Sequence, residues 1–510
     1  MPVARFPGGL RLDAQPAVPG VPALRRLPTP ARLRVPMLQH QGEPARPCVA
    51  VGQRVRAGER IGVAVGRLSA HVHTPCSGTV TAIAAHDIGH PSGRALPCVE
   101  IAHDGSDDHV RLPPLPDWRA LDRGAIAARL HEAGVVGLGG GTFPAALKVA
   151  AGGPPVHTLI LNGCESDPGA GSDAAVMCHR ADEVVAGAAL LAHALSAARV
   201  LLAVNASRAD AAGSLREACA RDPDAAGFDI VTVPARYPQG SERQLVYALT
   251  GIALPHGRRP HDEGLRVFNV ATAAAAWRAV VRGEPLTARV VTLAGGGVRR
   301  PCTLEVPVGT LVADLVAFAG GYGDDAQRLV LGGALMGRAL PHDEVPIGKG
   351  SYNVLVLSSR EIPAPTPVMP CIRCGECARV CPSRLLPRQL YSEIRQGGFE
   401  AAAALGLHDC IECGLCDTVC PSYIPLLHWL RHGKGELAFA AREQDLRARS
   451  RQAHHARQER LRRLAEERER RLAERERTAL ANRERAMSDI LARALSRAGL
   501  RKREDGGDGP

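Results

Sequence analysis

Eight of the 15 cysteines in this chain lie in two copies of one short motif. Both copies have the spacing C-x2-C-x2-C-x3-C-P, and they read CIRCGECARVCP from Cys371 and CIECGLCDTVCP from Cys410. Such a run binds a cubane [4Fe–4S] cluster, because three thiolates of one tight loop reach three corners of the cube. Where two runs occur together, the fourth cysteine of each binds the other cluster. We therefore predict two ligand sets: Cys371, Cys374, Cys377 and Cys420, and Cys410, Cys413, Cys416 and Cys381.

Zinc sites and disulfide bonds are the alternative uses of these cysteines. Zinc sites take four ligands, commonly from two C-x2-C pairs, whereas each run here has four cysteines and ends in Cys-Pro. Gly375 and Gly414 let the backbone approach inorganic sulfur closely. The pattern therefore favours iron–sulfur clusters. We interpret the seven scattered cysteines as small buried apolar residues: Cys48, Cys76, Cys98, Cys164, Cys178, Cys219 and Cys302.

Length and composition predict about three to five domains with sizeable cores, since 45% of the 510 residues are apolar. The first ten residues, MPVARFPGGL, hold no apolar stretch of a signal peptide, which predicts a reducing compartment. The longest apolar run, 184–204, contains His193 and Arg199 and indicates a buried helix and a strand rather than a membrane span. Net charge is +11, and residues 431–510 hold 22 Lys and Arg against 14 Asp and Glu, so most of the surplus belongs to a tail.

The N-terminal part of the chain predicts an irregular segment followed by a small β domain. Residues 1–30 are rich in Pro and Ala. Residues 31–112 show two similar halves of short strands, which predicts a β barrel-sandwich of the lipoyl type, although no Lys stands at its hairpin tip for a swinging arm. His71, His73 and His90 suggest a metal site, but a structural or surface role is the stronger expectation.

The remaining residues divide into four further segments. Residues 118–285 alternate helix and strand signals, which predicts an α/β domain with a parallel sheet. Residues 286–360 return to short strands and predict a small β-rich domain, and residues 361–440 hold the cysteine runs. Residues 441–510 interleave Arg and Glu with no aromatic residue, which favours a solvated helix over a nucleic-acid-binding segment.

A glycine-rich loop, VGLGGGTFPAALK, runs from Val136 to Lys148. It follows a helix rather than a strand, so it is not a dinucleotide-binding fingerprint of the usual kind. Its lysine and a helix starting near Pro144 would favour an anion, and its glycines permit close approach of a phosphate. A purely structural loop is the alternative interpretation, and the residues alone leave the two equal. The glycines are Gly137, Gly139, Gly140 and Gly141.

This loop resembles the flavin-binding loop of the 51-kDa NADH-binding subunit of respiratory complex I, a glycine run ending in Gly-Phe-Pro with a Lys five residues past the Phe. The stretch NGCESDPG from Asn162 is similar to the Asn…Glu-Ser-Glu-Pro-Gly loop of that family. Thr142 replaces a usual Gly, and Asp167 replaces a usual Glu and reaches about one methylene less. The resemblance implies two contact sets: Lys148, Asn162 and Glu165 for FMN, and Phe143 and Asp167 for NADH.

From about residue 30 to 440 the chain resembles the RnfC family, a component of the Rnf electron-transport complex, which is called Rsx in some bacteria. The landmarks stand in the same order and include PMLQHQGEPARPCVAVGQRVRAGERI, GLGGGTFP, YPQGSERQLVYALTG and the two cysteine runs. LEVPVGT and LGGALMG mark the soluble-ligand-binding β-grasp (SLBB) domain of that family. NGCESDPGAG departs from the Glu-Cys-Glu-Pro-Tyr form common in Rnf proteins, and the tail matches no fixed family feature.

The resemblance implies a multidomain α/β and α+β fold: an N-terminal β barrel-sandwich, an α/β FMN- and NADH-binding domain, an SLBB β-grasp domain, a two-cluster ferredoxin-like domain and a charged C-terminal helix. It implies an NADH:ferredoxin-type oxidoreductase subunit of an ion-translocating complex, peripheral on the cytoplasmic side of the inner membrane. NADH gives two electrons as hydride and a cubane takes one, so a flavin must stand between them. We expect no catalytic side chain and no nucleic-acid partner.

Two other functions remain open on the sequence alone. A cobalamin reductase of bacterial microcompartments looks similar in its flavin, β-grasp and cluster parts, although the barrel-sandwich ahead of the flavin domain favours Rnf. A flavin-free relay subunit is the other alternative, in which the glycine loop is structural. A sodium-pumping quinone reductase subunit shares the N-terminal architecture but lacks cysteine runs, so the eight cysteines exclude it.

Overall fold

The computed structural model describes residues 3, 5–12, 23–364 and 366–504, with side chains described up to residue 498. The chain forms two compact units, residues 1–433 and 434–510. Over its described residues, the first unit contains four sheets, and each of them is built mainly from one stretch of the chain.

The N-terminal sheets enclose one apolar core, as the predicted barrel-sandwich requires. The strands of this part of the chain are β1 Leu24–Arg26, β2 Arg32–Pro36, β3 Arg46–Pro47, β4 Arg54–Val55, β5 Arg60–Val63, β6 Val72–His73, β7 Gly78–His86 and β8 Leu96–His103. One sheet has the order β2-β8-β7-β4 and the other β3-β5-β6, and both are antiparallel. Leu33, Ile61 and Ile101, from strands of both sheets, are fully buried in this core.

The next domain is a parallel sheet with helices, which confirms the α/β prediction. Its elements are α1 Arg123–Glu132, α2 Ala145–Ala150, β9 Thr158–Gly163, α3 Ser172–His179, α4 Ala181–Leu195, β10 Arg199–Asn205, α5 Ala209–Arg221, β11 Asp229–Val233, α6 Glu242–Thr250, β12 Leu265–Asn269 and α7 Val270–Trp277. The sheet order is β11-β10-β9-β12 and every pair is parallel. The long apolar run forms α4 and β10, a buried helix and strand.

The β-grasp domain is a six-stranded sheet that includes β1. Its other elements are β13 Ala288–Ala294, β14 Cys302–Pro307, α8 Val312–Phe318, β15 Ala326–Leu331, β16 Arg338–Leu340 and β17 Asn353–Ser358. The sheet order is β1-β14-β13-β17-β15-β16. The edge strand β1 lies in the segment predicted to be irregular, and it pairs in parallel with β14 from Leu24 opposite Thr303. This pairing is a contact between distant parts of the chain, so the local composition of the lead-in gave no sign of it.

The cysteine runs lie among short helices, and a long helix follows them. That helix begins before residue 441, where the tail was predicted to start, because Leu426, Leu427 and Leu430 are buried against the cluster domain. The helices are α9 Glu376–Arg379, α10 Pro387–Arg395, α11 Phe399–Ala404, α12 Leu415–Thr418 and α13 Leu426–Glu504.

The second unit, taken by itself, is an exposed stretch of helix. Its i,i+4 ion pairs include Arg447 with Glu443 at 2.8 Å and Arg471 with Glu467 at 2.6 Å, as the charge pattern predicted. Among the described residues, none of the helices combines the length and the apolar composition that a membrane crossing needs.

The scattered cysteines and the histidines follow the structural predictions with one exception. Cys48 is exposed, contrary to the buried role predicted for it. His71 and His73 are buried in the barrel-sandwich and His90 is half-buried. Within the described ranges, no group of three or more His, Cys, Asp or Glu is placed to hold a single metal ion. The buried or half-buried cysteines are Cys76, Cys98, Cys164, Cys178, Cys219 and Cys302.

Candidate functional site

The two cysteine runs cross in space, so that each cavity is lined by three cysteines of one run and the fourth of the other. The outer cage consists of Cys371, Cys374, Cys377 and Cys420, around a cavity of about 140 Å³. The inner cage consists of Cys381, Cys410, Cys413 and Cys416, around a second cavity. These are the two groups predicted from the sequence, and cluster binding by them stays a prediction.

The two motif copies adopt the same loop conformation. Gly375 and Gly414 have φ of +81° and +78° and directly precede the short helices α9 and α12, which carry the third cysteine of each run. Arg373 and Glu412, at matching positions, also have positive φ, at 60° and 57°. A left-handed residue two positions ahead of a left-handed glycine turns the chain tightly, so successive cysteines face one cavity.

The flavin and NADH residues predicted from the sequence all line a single cleft of about 1160 Å³. Its walls come from the barrel-sandwich, the α/β domain and the β-grasp domain. The nine predicted residues are Gly137, Gly139, Gly140, Gly141, Phe143, Lys148, Asn162, Glu165 and Asp167.

The glycine loop leaves open space on its cleft side. Gly140 has φ of +90°, a conformation that an L side chain rarely adopts, and a Cβ at Gly141 would meet no atom within 4 Å. Gln41 of the barrel-sandwich donates a hydrogen bond of 2.6 Å to the Gly141 carbonyl and so fixes the loop. Lys148 pairs with Glu242 at 3.1 Å, which holds its ammonium at the cleft. The helix α2 has only six residues, so its N-terminus is a weaker anion site than the sequence suggested.

Asn162 and Glu165 lie at the end of β9 and just after it, where the carboxyl end of a parallel strand opens into the cleft. Asn162 donates to the Gly240 carbonyl at 2.9 Å and accepts from the Cys164 amide at 3.0 Å. Glu165 accepts from the Ser172 amide and hydroxyl at 3.1 and 2.9 Å. These bonds tie both side chains to the start of α3 and to the loop before α6, so the lining of the cleft is already ordered.

Glu165 is a titratable group at neutral pH. Burial, together with the neighbouring Asp173, raises the pKa of Glu165 to about 7, and burial also raises the pKa of Asp173. A raised pKa means that the proton stays on the carboxyl group below about pH 7 and leaves above it. We expect a carboxylic-acid C=O band in difference infrared spectra that disappears as pH rises through this value. Glu165→Gln should remove the band and Glu242→Gln should keep it; a band retained in Glu165→Gln would contradict the assignment.

Asp167 is held by the β-grasp domain. Its Oδ2 accepts a hydrogen bond of 2.8 Å from the Tyr352 hydroxyl, and that hydroxyl accepts from the Gly333 amide at 3.1 Å. Its Oδ1 is buried and has no partner among the described residues. Burial raises the pKa of Asp167. The carboxylate that the resemblance assigns to NADH is therefore positioned by a different domain from the one that carries it.

Sequence reasoning missed a buried polar group beneath the glycine loop. Arg289 of β13 is 2% exposed and donates to the Leu138 carbonyl of the loop. Asp173 accepts from Asn269 at 2.6 Å, and its charge and that of Glu165 favour the charged form of Arg289. No motif identifies Arg289, because it belongs to the next domain and contacts the loop only in the folded chain.

The cleft fits a polar ring system with donors and acceptors. Arg289 Nε, Asp167 Oδ1 and Asp173 Oδ1 are buried without hydrogen-bond partners among the described residues. Buried polar groups are normally paired, so unpaired ones at a cleft indicate the positions where a ligand binds. With Lys148 as a cation for phosphate, these groups match the chemistry of a flavin mononucleotide.

The inner cage adjoins the wall of the cleft. Tyr237 lines the cleft, and its hydroxyl donates to the Cys413 carbonyl at 2.9 Å. Tyr237 and Cys413 also share an apolar cluster with Val380 and Leu335. Arg243 of α6 pairs with Asp409 at 2.8 Å, one residue before the second run. The cleft and the inner cage are thus joined by direct contacts.

The fold and the site define a modular flavin and iron–sulfur protein, and the family models agree with the predicted order of domains. Four of them match: the RnfC barrel sandwich hybrid domain over residues 4–106, the Nuo51 FMN-binding domain over 130–278, the SLBB domain over 290–339 and the 4Fe-4S dicluster domain over 370–424. The predicted fold class and the predicted cofactor types, FMN and iron–sulfur clusters, are confirmed.

The chain is related to the RnfC component of ion-translocating oxidoreductase complexes, which confirms the resemblance to that family. It is 44% identical over 433 residues to this component from Pseudomonas aeruginosa, covering 85% of this chain and 55% of the relative. For Erwinia tasmaniensis the values are 40% over 432 residues, with 85% and 53% covered. The chain thus spans about half the length of these relatives.

Two solved structures of NAD+-reducing [NiFe]-hydrogenase are also similar to parts of the chain. The air-oxidised form is 22% identical with a TM-score of 0.44, covering 58% of this chain and 59% of that one. The H2-reduced form is 18% identical with a TM-score of 0.45, covering 66% and 71%.

Proposed function

We propose that this chain is the electron-entry subunit of an ion-translocating membrane complex. It takes electrons from NADH and delivers them, through two [4Fe–4S] clusters, to membrane subunits and to ferredoxin or another low-potential acceptor. The observation that carries the proposal is that the predicted flavin and NADH residues line one cleft whose wall is hydrogen-bonded to the inner cage. The cleft, at about 1160 Å³, exceeds the roughly 300–1,000 Å³ of a single small-ligand pocket, so it has room for a nucleotide beside a flavin.

The residues of the cleft divide between the ends of the cofactor. Lys148 and the glycine loop are suited to the phosphate, whereas Arg289 and Asp173 offer a donor and an acceptor to the ring. Phe143 and Asp167 remain for NADH, and Tyr352 keeps the carboxylate of Asp167 in place. FMN, when bound, accepts a hydride and passes its electrons on singly.

The positions of the cages support one order of electron transfer. Tyr237 links the cleft to Cys413 of the inner cage, whereas Cys371 and Cys374 of the outer cage are exposed. Electrons therefore enter at the inner cage and leave from the outer cage. The two cages share the crossed runs, which keeps the cluster sites close to each other.

Attachment to the membrane is proposed to be peripheral, on the cytoplasmic side of the inner membrane. The support is that the relatives are named as subunits of an ion-translocating complex. The surplus of eight positive charges after residue 430 adds a weak attraction to anionic lipid, because the interleaved Glu residues cancel most of it.

The direct test is an anaerobic NADH titration of the protein reconstituted with FMN and clusters. We expect the flavin absorbance to bleach and the EPR signals of reduced cubanes to follow. A protein that binds no flavin and ignores NADH, while dithionite still reduces two clusters, is a flavin-free relay and would overturn the proposal.

Lys148 gives a sharper test of the phosphate end. Lys148→Met removes a charge-assisted contact worth about 1.5–3 kcal/mol, so the dissociation constant for FMN should rise about 10- to 100-fold. Fluorescence titration of the flavin-depleted protein measures it. Arg328→Met removes the same charge from the exposed surface of the β-grasp domain and should change the constant less than twofold. An unchanged constant in Lys148→Met would exclude this lysine as a ligand.

A further inference from the structure

The outer cage lies at the protein surface. Cys371 and Cys374 are exposed, whereas Cys413 of the inner cage is buried, with 9% of its surface exposed. Because electron transfer weakens steeply with distance, the partner that collects electrons must approach the side on which the outer cage is exposed. The residues around that cage therefore form the contact surface for the acceptor.

Five large apolar side chains are exposed on this side of the domain. Ile372 and Leu386 line the outer cavity itself. The segments that carry the others are joined, because the Met369 amide donates to the Ser422 carbonyl at 2.9 Å. We call this set the outer patch: Val368 at 58% exposed, Met369 at 56%, Ile372 at 68%, Leu386 at 55% and Tyr423 at 56%. Contiguous exposed apolar side chains indicate a surface that a partner covers.

The charges at the outer patch are positive and unpaired. Arg373 and Arg388 are exposed, line the same cavity and form no ion pair within the described part of the chain. Glu376, the nearest acidic residue in the motif, is already neutralised by its ion pair with Arg379. Two uncompensated guanidinium groups beside an apolar surface favour a partner with an acidic rim.

We propose that the outer patch docks an acidic one-electron carrier protein whose own redox centre lies close to its surface. The inference rests on the proposed function, because it identifies the kind of acceptor for the outer cage. One electron leaves the reduced cluster of the outer cage and reduces the carrier's oxidised centre, and no bond or proton changes. An anionic lipid surface would also suit arginine and apolar side chains, but the patch surrounds a cluster site, which favours a redox partner.

Two forms of one probe protein test the charge preference. Native cytochrome c is basic, and succinylated cytochrome c carries the same haem within an acidic surface. The clusters are reduced with dithionite, the excess is removed, and reduction of each cytochrome is followed by stopped flow at low salt. We expect the acidic form to react at least tenfold faster and to lose this advantage at high ionic strength. Since dithionite supplies the electrons, failure of the NADH proposal would not affect the result.

Substitutions locate the preference on the molecule. Arg373→Glu/Arg388→Glu should slow reduction of the succinylated form about 10- to 100-fold and weaken its binding in calorimetry by a similar factor, with both cluster EPR signals intact. Arg328→Glu makes the same charge change elsewhere and should alter the rate less than twofold. Leu386→Ser should weaken binding at every salt concentration.

Three results would overturn the proposal. They are equal rates for the two cytochromes, a double variant that reacts like the parent protein, and vesicles of anionic phospholipid that bind the parent protein but not the double variant. The last outcome would assign the outer patch to a membrane surface instead.

Discussion

Serine in place of Cys381 is expected to leave a protein whose remaining cluster is reduced by dithionite but no longer by NADH. Cys381 lies in the first run yet lines the inner cage with Cys410, Cys413 and Cys416. A serine hydroxyl is a poor ligand for iron, so the inner cluster should be lost and the iron content should fall from about eight to about four per chain. The flavin cleft would then have no neighbouring acceptor.

The reciprocal variant, Cys420→Ser, should lose the outer cluster and the same amount of iron. In that protein NADH should still reduce the remaining cluster, because Tyr237 still links the cleft to Cys413. Delivery to an external carrier should fall at least hundredfold in both variants. Iron analysis and low-temperature EPR after NADH and after dithionite distinguish them.

Cys98→Ser is the matched control, since Cys98 is fully buried on β8 of the barrel-sandwich and lines neither cage. It should keep both clusters and the response to NADH. If Cys381→Ser leaves a cluster that NADH reduces and Cys420→Ser does not, the order of the two cages is reversed. If both variants keep about eight iron atoms, the crossed ligand sets are wrong.

The cysteine cages and the glycine loop could be predicted because their chemistry is local. Four cysteines within eleven residues constrain a loop whatever surrounds it, and Gly375 and Gly414 take the positive φ that such a loop needs. The crossed pairing follows from having two copies. The order of domains could be predicted because each domain carries its own pattern of strands, helices or cysteines.

The residues that connect the domains could not be predicted in this way. Tyr352 meets Asp167 across 185 residues, Tyr237 meets Cys413 across 176, and Arg289 reaches the glycine loop across 151. Local periodicity shows only that these side chains lie on strands or loops. Which partner each one meets depends on how the domains pack, and a single sequence does not encode that in any short window.

Arg289 is the connecting residue whose loss should matter most. It is buried under the glycine loop with Asp173 and Glu165 nearby, and it holds the Leu138 carbonyl. Arg289→Met leaves two buried acidic groups without a cation and a carbonyl without its donor. Removing one member of such a buried charged group costs about 3–5 kcal/mol, which lowers the melting temperature of a domain of this size by roughly 6–20 °C. The temperature at which flavin fluorescence appears on heating measures this.

A second substitution separates loss of charge balance from loss of packing. Arg289→Met/Asp173→Asn removes one carboxylate together with the cation, so it should recover a substantial part of the stability lost in the single variant. Arg266→Met removes another almost fully buried arginine, at 1% exposed, which donates its hydrogen bonds to backbone carbonyls of Ala151, Gly152 and Leu265. That variant should also release flavin early, but Asp173→Asn should not rescue it. Equal rescue of both arginine variants would mean that Asp173→Asn stabilises the domain generally, and that Arg289 supports the loop by packing alone.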